Sequence, residues 1–350
     1  MSGLRVLTKM RRFFERRFRF GEDPPGWWYS LMGSPVSSGA HVTEETALRF
    51  SAVFSCVRVL AESVAQIPLK VYERLPGGGK REVPEHPLYP IVHDWPNDEV
   101  TSFGWRESSM GHLLTWGNSY SFLEYGGDGR VKALHMQKPD RMTPRRLRNG
   151  VLVYDYIDDW GSPQRYLREQ ILHVPALGYD GLVGYSPVRM AAETIGTGIS
   201  AAQFAGRFFA NGAVPGGVLE HPEHLSKESH DRIREDFERM HSRGNAHRVA
   251  VLEEGMKYTR ISINPVDAQL LESLRFSRQE IAGIYRVPAH FINDLEHATF
   301  SNIEQLGLEF VQFSLAPWLV RHENVMNRRL FLPSERGRYF VEFVVDGLLR

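Results

Sequence analysis

His322-Glu323 begins the pattern of a zinc-binding helix, which needs a second histidine one turn further on, and Met326 stands at that position. Gly79-Lys80 suggests a phosphate-cradling loop. The upstream glycine of such a loop is replaced by Arg74, and Arg81 stands where Ser or Thr would hold magnesium, so a hairpin turn is the better reading. Gly184-Tyr185-Ser186 has the spacing of a nucleophile elbow, but Val188 occupies the place of its last glycine. Gly196 and Gly198 fall inside a helical stretch, where a dinucleotide-binding loop cannot form. The carboxylate pairs Glu44-Glu45 and Asp158-Asp159 sit in cap or loop contexts, and the histidines are scattered. Cys56, the single cysteine, lies in an apolar helical stripe and reads as a buried thiol. It leaves no intrachain disulfide and no multi-cysteine metal site, and fits a reducing compartment. No catalytic constellation, cofactor site or metal site is expected.

The 350 residues suffice for two or three modest domains or one elaborate one. Basic and acidic residues balance at 42 each, which argues against a protein whose affinity comes from gripping phosphates. Of the basic residues 35 are Arg and seven Lys, a ratio that suits fixed bidentate pairs at interfaces and equally fits coding bias. The mean hydropathy of −0.33 describes a soluble chain, and no apolar run reaches the roughly 18 residues of a membrane span. Arginines 11, 12, 16, 17 and 19 interrupt any signal-peptide core.

Residues 1–42 read as an arm, with a basic amphipathic stretch at Leu4 to Phe20 that suits a membrane or nucleic-acid contact, or an arm that is unordered or lies on a neighbouring subunit. Thr43 caps the first firm helix, with Glu44 and Glu45 at its positive end. Val53, Val57, Leu60, Val64 and Ile67 mark one helix face, which Pro68 ends before a strand at Leu69 to Glu73. A helix from Phe103 to Trp116 stops at Gly117-Asn118. Strands at Tyr120 to Tyr125, Val131 to His135, Val151 to Ile157 and Ile171 to Val174 then suggest an antiparallel sheet with one packed face.

The second half is helical and well punctuated. Ser186-Pro187 starts, and Asn211-Gly212 stops, a helix of about 24 residues, roughly 36 Å long. Its stripe of Ala191, Ile195, Gly198, Ala202, Ala205 and Phe209 is made mostly of small residues that permit close helix approach, as in an oligomer. A short strand at Pro215 to Leu219 precedes a charged helix at Ser226 to Ser242, which carries Arg232, Arg234, Glu235, Glu238 and Arg239 beside a narrow apolar seam. Strands at Val249 to Leu252 and Tyr258 to Ile263 follow. Asn264-Pro265 opens a helix whose buried face is expected to be Leu270, Leu274, Ile281 and Ile284, and Val287-Pro288 closes it. After a polar link at 293–302, a last helix runs from about Ile303 to Leu332. Pro317 in its interior costs about 3 kcal/mol and forces a kink. A strand at Tyr339 to Val345 follows.

Five blocks, in order, resemble the portal proteins, or head–tail connectors, of tailed bacteriophages: SAVFSCVRVLAESVAQIPLKVYER from Ser51, WPNDEVTSFGWRESSMGHLLTWGNSY from Trp95, GYSPV from Gly184, NPVDAQLLESLRFSRQEIAGIYRVPAHFI from Asn264 and ATFSNIEQLGLEFVQFSLAPWLVRHE from Ala298. The resemblance implies an α+β subunit with a β-rich wing, long stem helices and a small strand–helix–strand clip, closing into a ring of about twelve copies at one capsid vertex. It implies a wing at 43–185, a stem helix at 186–213 with the small stripe as its packing surface, and a clip at 214–263. The second stem helix would be 264–292 and the tunnel loop 293–302, with 303–350 returning to the wing. Family members usually continue into a helical crown, which is expected to be short or absent here.

The implied partners are terminase, the major capsid protein and head-completion or adaptor proteins. Terminase would dock on the clip face of Arg232, Arg234, Glu235, Glu238 and Arg239, and no cofactor is implied. Double-stranded DNA would pass weakly bound through a lumen lined by Asp294, Glu296, His297, Thr299 and Ser301, with Phe300 anchoring the loop. The implied location is the virion, after assembly in the host cytoplasm. The competing readings are a DNA-processing enzyme, which needs an acidic metal cluster, and a membrane-peripheral protein resting on Leu4 to Phe20.

Overall fold

The computed structural model of the chain describes residues 36–210, 217–222, 224, 226–241, 255–260, 266–292 and 306–345. Thr43 caps α1 (Glu44–Leu48) through a reciprocal bond with Thr46, and α2 (Ser51–Ala65) follows. In α2 the expected face is present: Val53, Cys56, Leu60 and Val64 are fully buried, each apolar side chain stabilising by about 1.5–3 kcal/mol. Pro68 leads into β1 (Leu69–Arg74), which the turn at Gly78 and Gly79, both at positive φ, joins to β2 (Lys80–Glu82). The glycine-lysine pair therefore belongs to a hairpin.

Beyond the short α3 (Tyr89–His93), Thr101 caps α4 (Ser102–Trp116), and Gly117 ends it at φ 75°. The hairpin of β3 (Asn118–Tyr125) and β4 (Val131–Gln137) follows as expected. The expected single sheet is instead two. β5 (Met142–Arg146), β6 (Leu152–Ile157) and β7 (Pro163–Leu167) form one antiparallel sheet, while β8 (Ile171–Pro175) returns to β3. β5 and β7 escape a sequence reading because each carries a proline and few β-branched residues. Proline is tolerated only at sheet edges, and both are edge strands. A small core of Tyr120, Tyr154, Tyr156, Met142, Leu152 and Ile171 sits between the two sheets.

The expected long helix from Ser186 is divided at Ala191 into α5 (Pro187–Met190) and α6 (Ala192–Ala210). α5 takes its direction from bonds to α1 and α4, whereas α6 lies along a later helix, so the backbone turns between them at φ −99°, ψ 14°. β9 (Gly217–Glu220) pairs with β10 (Lys257–Arg260), and α7 (Lys227–His241) lies between them in the chain. The expected strand at Val249 to Leu252 lies outside the described residues.

α8 (Val266–Tyr285) packs on α6 and α2. Among its described side chains Ser277, Ile281, Ala282 and Tyr285 are buried. Of the expected face Ile281 is buried, Leu274 half-buried and Ile284 exposed, while the Leu270 side chain lies outside the described residues. The Tyr285 hydroxyl donates to the Leu114 carbonyl, and that anchor fixes which side of the last turn faces inward. Residues 306–309 are helical and run into a π-helical turn at Phe310–Leu315 before α9 (Ala316–Arg329). The kink expected at Pro317 is thus a widened turn, in which the Ala316 N–H reaches back five residues to the Val311 carbonyl. α9 stops at Arg329, three residues short of the expected end. β11 (Tyr339–Phe343) then pairs antiparallel with β1, from Leu69 opposite Phe343 to Glu73 opposite Tyr339. One core joins α2, α4, β1, β11, α9, the start of α6 and the end of α8.

Candidate functional site

The stem begins where two sequence blocks meet. Gly117 and Gly184 approach so closely that a Cβ on Gly184 would lie 2.1 Å from the Gly117 carbonyl oxygen, and one on Gly117 would lie 2.0 Å from that of Tyr185. Asn118 clamps the contact from both sides, donating to the Gly184 carbonyl and accepting its N–H, each at 2.8 Å. Ser186 then caps α5, accepting the Arg189 N–H at 3.2 Å and donating to the Thr115 carbonyl at 2.6 Å. Arg189 reaches the buried Glu44 at 2.9 Å. Glycine, serine and proline at 184, 186 and 187 therefore fasten a helix to the end of α4.

Along α6 the small stripe serves its own chain first. Ala191, Ile195 and Gly198 are buried, and a Cβ on Gly198 would lie 2.7 Å from the Phe50 ring. Gly196 seats Val36, while Ser37 donates to Glu193 at 2.6 Å and Ser200 donates to the Ser38 carbonyl at 3.3 Å. The last residues of the expected arm thus lie on α6 of the same chain. Further along, Ala202 is exposed and Ala205 half-buried. Large apolar side chains face outward from these helices: Met190, Phe204, Phe276, Ile284, Phe313 and Val320.

Buried polar groups tie the elements together. Arg106 donates to the Ala65 carbonyl at 2.8 Å and the Val92 carbonyl at 3.3 Å, placing a cation at the C-terminal ends of α2 and α3, and burial lowers its pKa to about 10. His173 donates from Nε2 to Asn118 at 3.0 Å and accepts from the Tyr154 hydroxyl at 3.3 Å. His322 donates from Nδ1 to the Trp318 carbonyl at 2.8 Å, so its Nε2 accepts from Ser109 at 3.0 Å. Burial pushes His173 down to about 3 and His322 and His112 to about 4. A histidine bonded to a serine has the form of a base and nucleophile. Ser109 and His322 are both almost fully buried, however, and so acidic an imidazolium is a poor base near neutrality. Burial likewise raises Cys56 to about 12, an inert thiol.

Neither His322 nor His173 stands out by spacing as part of this network, and only their placement near apolar segments signals burial. Of the charged residues proposed for partner contact, Arg232, Arg234 and Glu235 are exposed on α7; Glu238 and Arg239 also lie on α7. Asp294, Glu296, His297, Thr299, Phe300 and Ser301 lie outside the described residues. Among the described residues, no group of three His, Cys, Asp or Glu side chains is placed to hold a metal ion, and no helix is long and apolar enough to cross a membrane.

Residues 51–350 match the sequence model of the phage portal protein family. The probable portal protein of Streptomyces phage phiC31 is 35% identical over 339 residues, spanning 91% of this chain and 72% of the relative. The fold is similar to that of a crystallised HK97-family phage portal protein from Corynebacterium diphtheriae, at TM-score 0.66 and 18% identity over 88% of this chain and 96% of that one. It is also similar to a chain in the neck of a native gene transfer agent particle computed with C12 symmetry, at TM-score 0.61 and 22% identity over 91% and 88%.

Proposed function

The chain belongs to the phage portal protein family, and from that premise we propose that about twelve copies close into a ring around the path of double-stranded DNA. Its function is that of the connector subunit at a capsid vertex. The observation that carries this is the family match, which runs from the start of α2 to the last residue. In this reading 43–185 is the wing, α5 and α6 with α8 are the stem, 214–263 is the clip, and 303–350 returns to the wing.

Two physical features support this reading. Outward-facing Phe276, Phe313 and Val320 need a neighbouring surface to leave water. A head-to-tail interface of this kind closes when the rotation between copies divides a full turn. Overall charge neutrality suits a conduit, since a basic lining would hold DNA by counterion release and resist sliding. The segment 293–302 is the proposed tunnel loop, in which Asp294 and Glu296 repel phosphate. Terminase and later the head-completion or adaptor proteins dock on the clip, and the major capsid protein surrounds the wing. Native mass measurement of the purified protein tests the ring: a species near twelve times the 40.1 kDa chain is expected. A monodisperse monomer at high concentration rejects it.

A further inference from the structure

Where the last turn of α9 meets β6 and β8, strands of the two neighbouring sheets, the surface opens into a cleft of about 270 Å³. Three arginines line it. Arg328 and Arg329 come from the end of α9 and Arg168 from the residue after β7, and no Asp or Glu lines the walls. Tyr154, Leu182 and Val325 also line it. Among the described residues, none of the three guanidinium groups makes a hydrogen bond or an ion pair. Two carboxylates, Asp180 and Glu169, stand next to the cleft, and neither forms an ion pair with its arginines. Asp180 accepts from the N–H groups of Leu182 and Val183 at 2.8 and 2.9 Å, and Glu169 lies near Arg329, favouring its charged form without pairing with it.

A helix C-terminus favours cations, which accounts for basic residues at this end of α9. It does not account for half-burying Arg329 beside Arg168, because two like charges sharing a partly dry cleft oppose folding. Burial, and then the neighbouring Arg168, press the pKa of Arg329 downward. On the loop that leads to Leu182, Leu177 and Tyr179 are 72% and 93% exposed. Arginine and tyrosine are both enriched at protein-binding hot spots.

We propose that this cleft is a docking pocket for an acidic protein segment, whose carboxylate inserts between Arg168 and Arg329 while Leu182 and Val325 cover its aliphatic stem. The volume suits one or two side chains, and a planar guanidinium pairs with a carboxylate through two parallel hydrogen bonds. Duplex DNA would require a broad basic face, and the chain is electrically neutral. The pocket is made wholly within one chain, so it stands apart from the ring reading.

Fluorescence anisotropy of the purified full chain with labelled hexaglutamate, hexaglutamine and a short DNA duplex tests the proposal. Saturable binding of hexaglutamate alone is expected. Arg329→Gln and Arg168→Gln should each weaken it about tenfold, equivalent to 1.4 kcal/mol. Arg58→Gln, which removes the same charge from the exposed side of α2, should leave binding unchanged. Circular dichroism checks the fold of each variant, and the exposed Arg168 carries the test if Arg329→Gln does not fold. Absence of saturable hexaglutamate binding, equal binding of hexaglutamine, or affinity indifferent to both substitutions overturns the proposal. Duplex binding that those substitutions abolish, without hexaglutamate binding, overturns it in favour of a phosphate site.

Discussion

At the scale of single residues, this chain uses its polar groups as fasteners. Gly184 shows it most sharply, since nothing larger than hydrogen fits between its α-carbon and the Gly117 carbonyl. Gly184→Ala should destabilise the subunit by about 3 kcal/mol or more, read as a lowered urea midpoint. An unchanged midpoint would show that the two blocks can separate at little cost. The buried histidines give the molecule a pH dependence whose sign is set by burial. His112, His173 and His322 are held neutral in the folded chain, down at about 3 to 4, and regain an ordinary value near 6.5 when unfolded. Below pH 6.5 the unfolded chain therefore binds more protons. Stability is complete above that pH and is lost as pH falls toward 4, by on the order of 2 kcal/mol per histidine at pH 5. His322→Gln should lower stability at pH 7 yet shrink the loss between pH 7 and pH 5, as measured by denaturant titration at both. A loss of the same size in the variant would assign the effect to other groups. None of this was readable in the sequence beyond the glycine-serine-proline order, because Asn118 and Gly184 meet across 66 positions.

At the scale of elements, helix ends carry much of the information. The end of α8 is a Schellman turn: the Val287 N–H reaches the Ala282 carbonyl at 2.9 Å, and the Arg286 N–H reaches that of Gly283 at 3.1 Å. The residue in the left-handed position is Arg286, at φ 55°, where glycine is usual. Left-handed backbone costs an L-residue about 1–2 kcal/mol, and glycine's extra freedom when unfolded returns part of it. Arg286→Gly should thus raise stability by about 0.5–1 kcal/mol, seen as a higher urea midpoint. A lower midpoint would mean that the arginine side chain contributes more than its backbone strain. The sequence disclosed α2, α4 and both tight hairpins because apolar periodicity, caps and glycine turns coincide there. It concealed β5 and β7, which are held by their pairing with β6 and not by β propensity. It announced a disturbance at Pro317 but not its form, since shifting hydrogen bonds by one residue leaves no pattern of side chains. Ser277 and Tyr285 displaced Ile284 from the core for a related reason: a tyrosine with a carbonyl to bond outweighed a plain apolar spacing.

At the scale of the whole molecule, the outward-facing aromatic side chains of the helices make assembly testable apart from folding. Phe276 is 61% exposed, so Phe276→Asp should change subunit stability by no more than about 0.5 kcal/mol. Placed between copies, the same carboxylate would lie unpaired in an apolar contact. Native mass should then show lower oligomers with an unaltered circular dichroism spectrum, and an intact full-sized ring would remove Phe276 from the interface. The sequence resemblance located the family, while the cleft of Arg168, Arg328 and Arg329 was invisible to it, being assembled from positions far apart in the chain. One pairing also sets a clock. Glu73 and Arg338 meet across 265 residues, and at roughly 5–20 residues per second a ribosome takes about 13–50 s to travel from one to the other. Until β11 emerges, β1 has only β2 beside it in the sheet. The sheet of β1, β2 and β11 is therefore completed only after both long helices and everything between them have been synthesised.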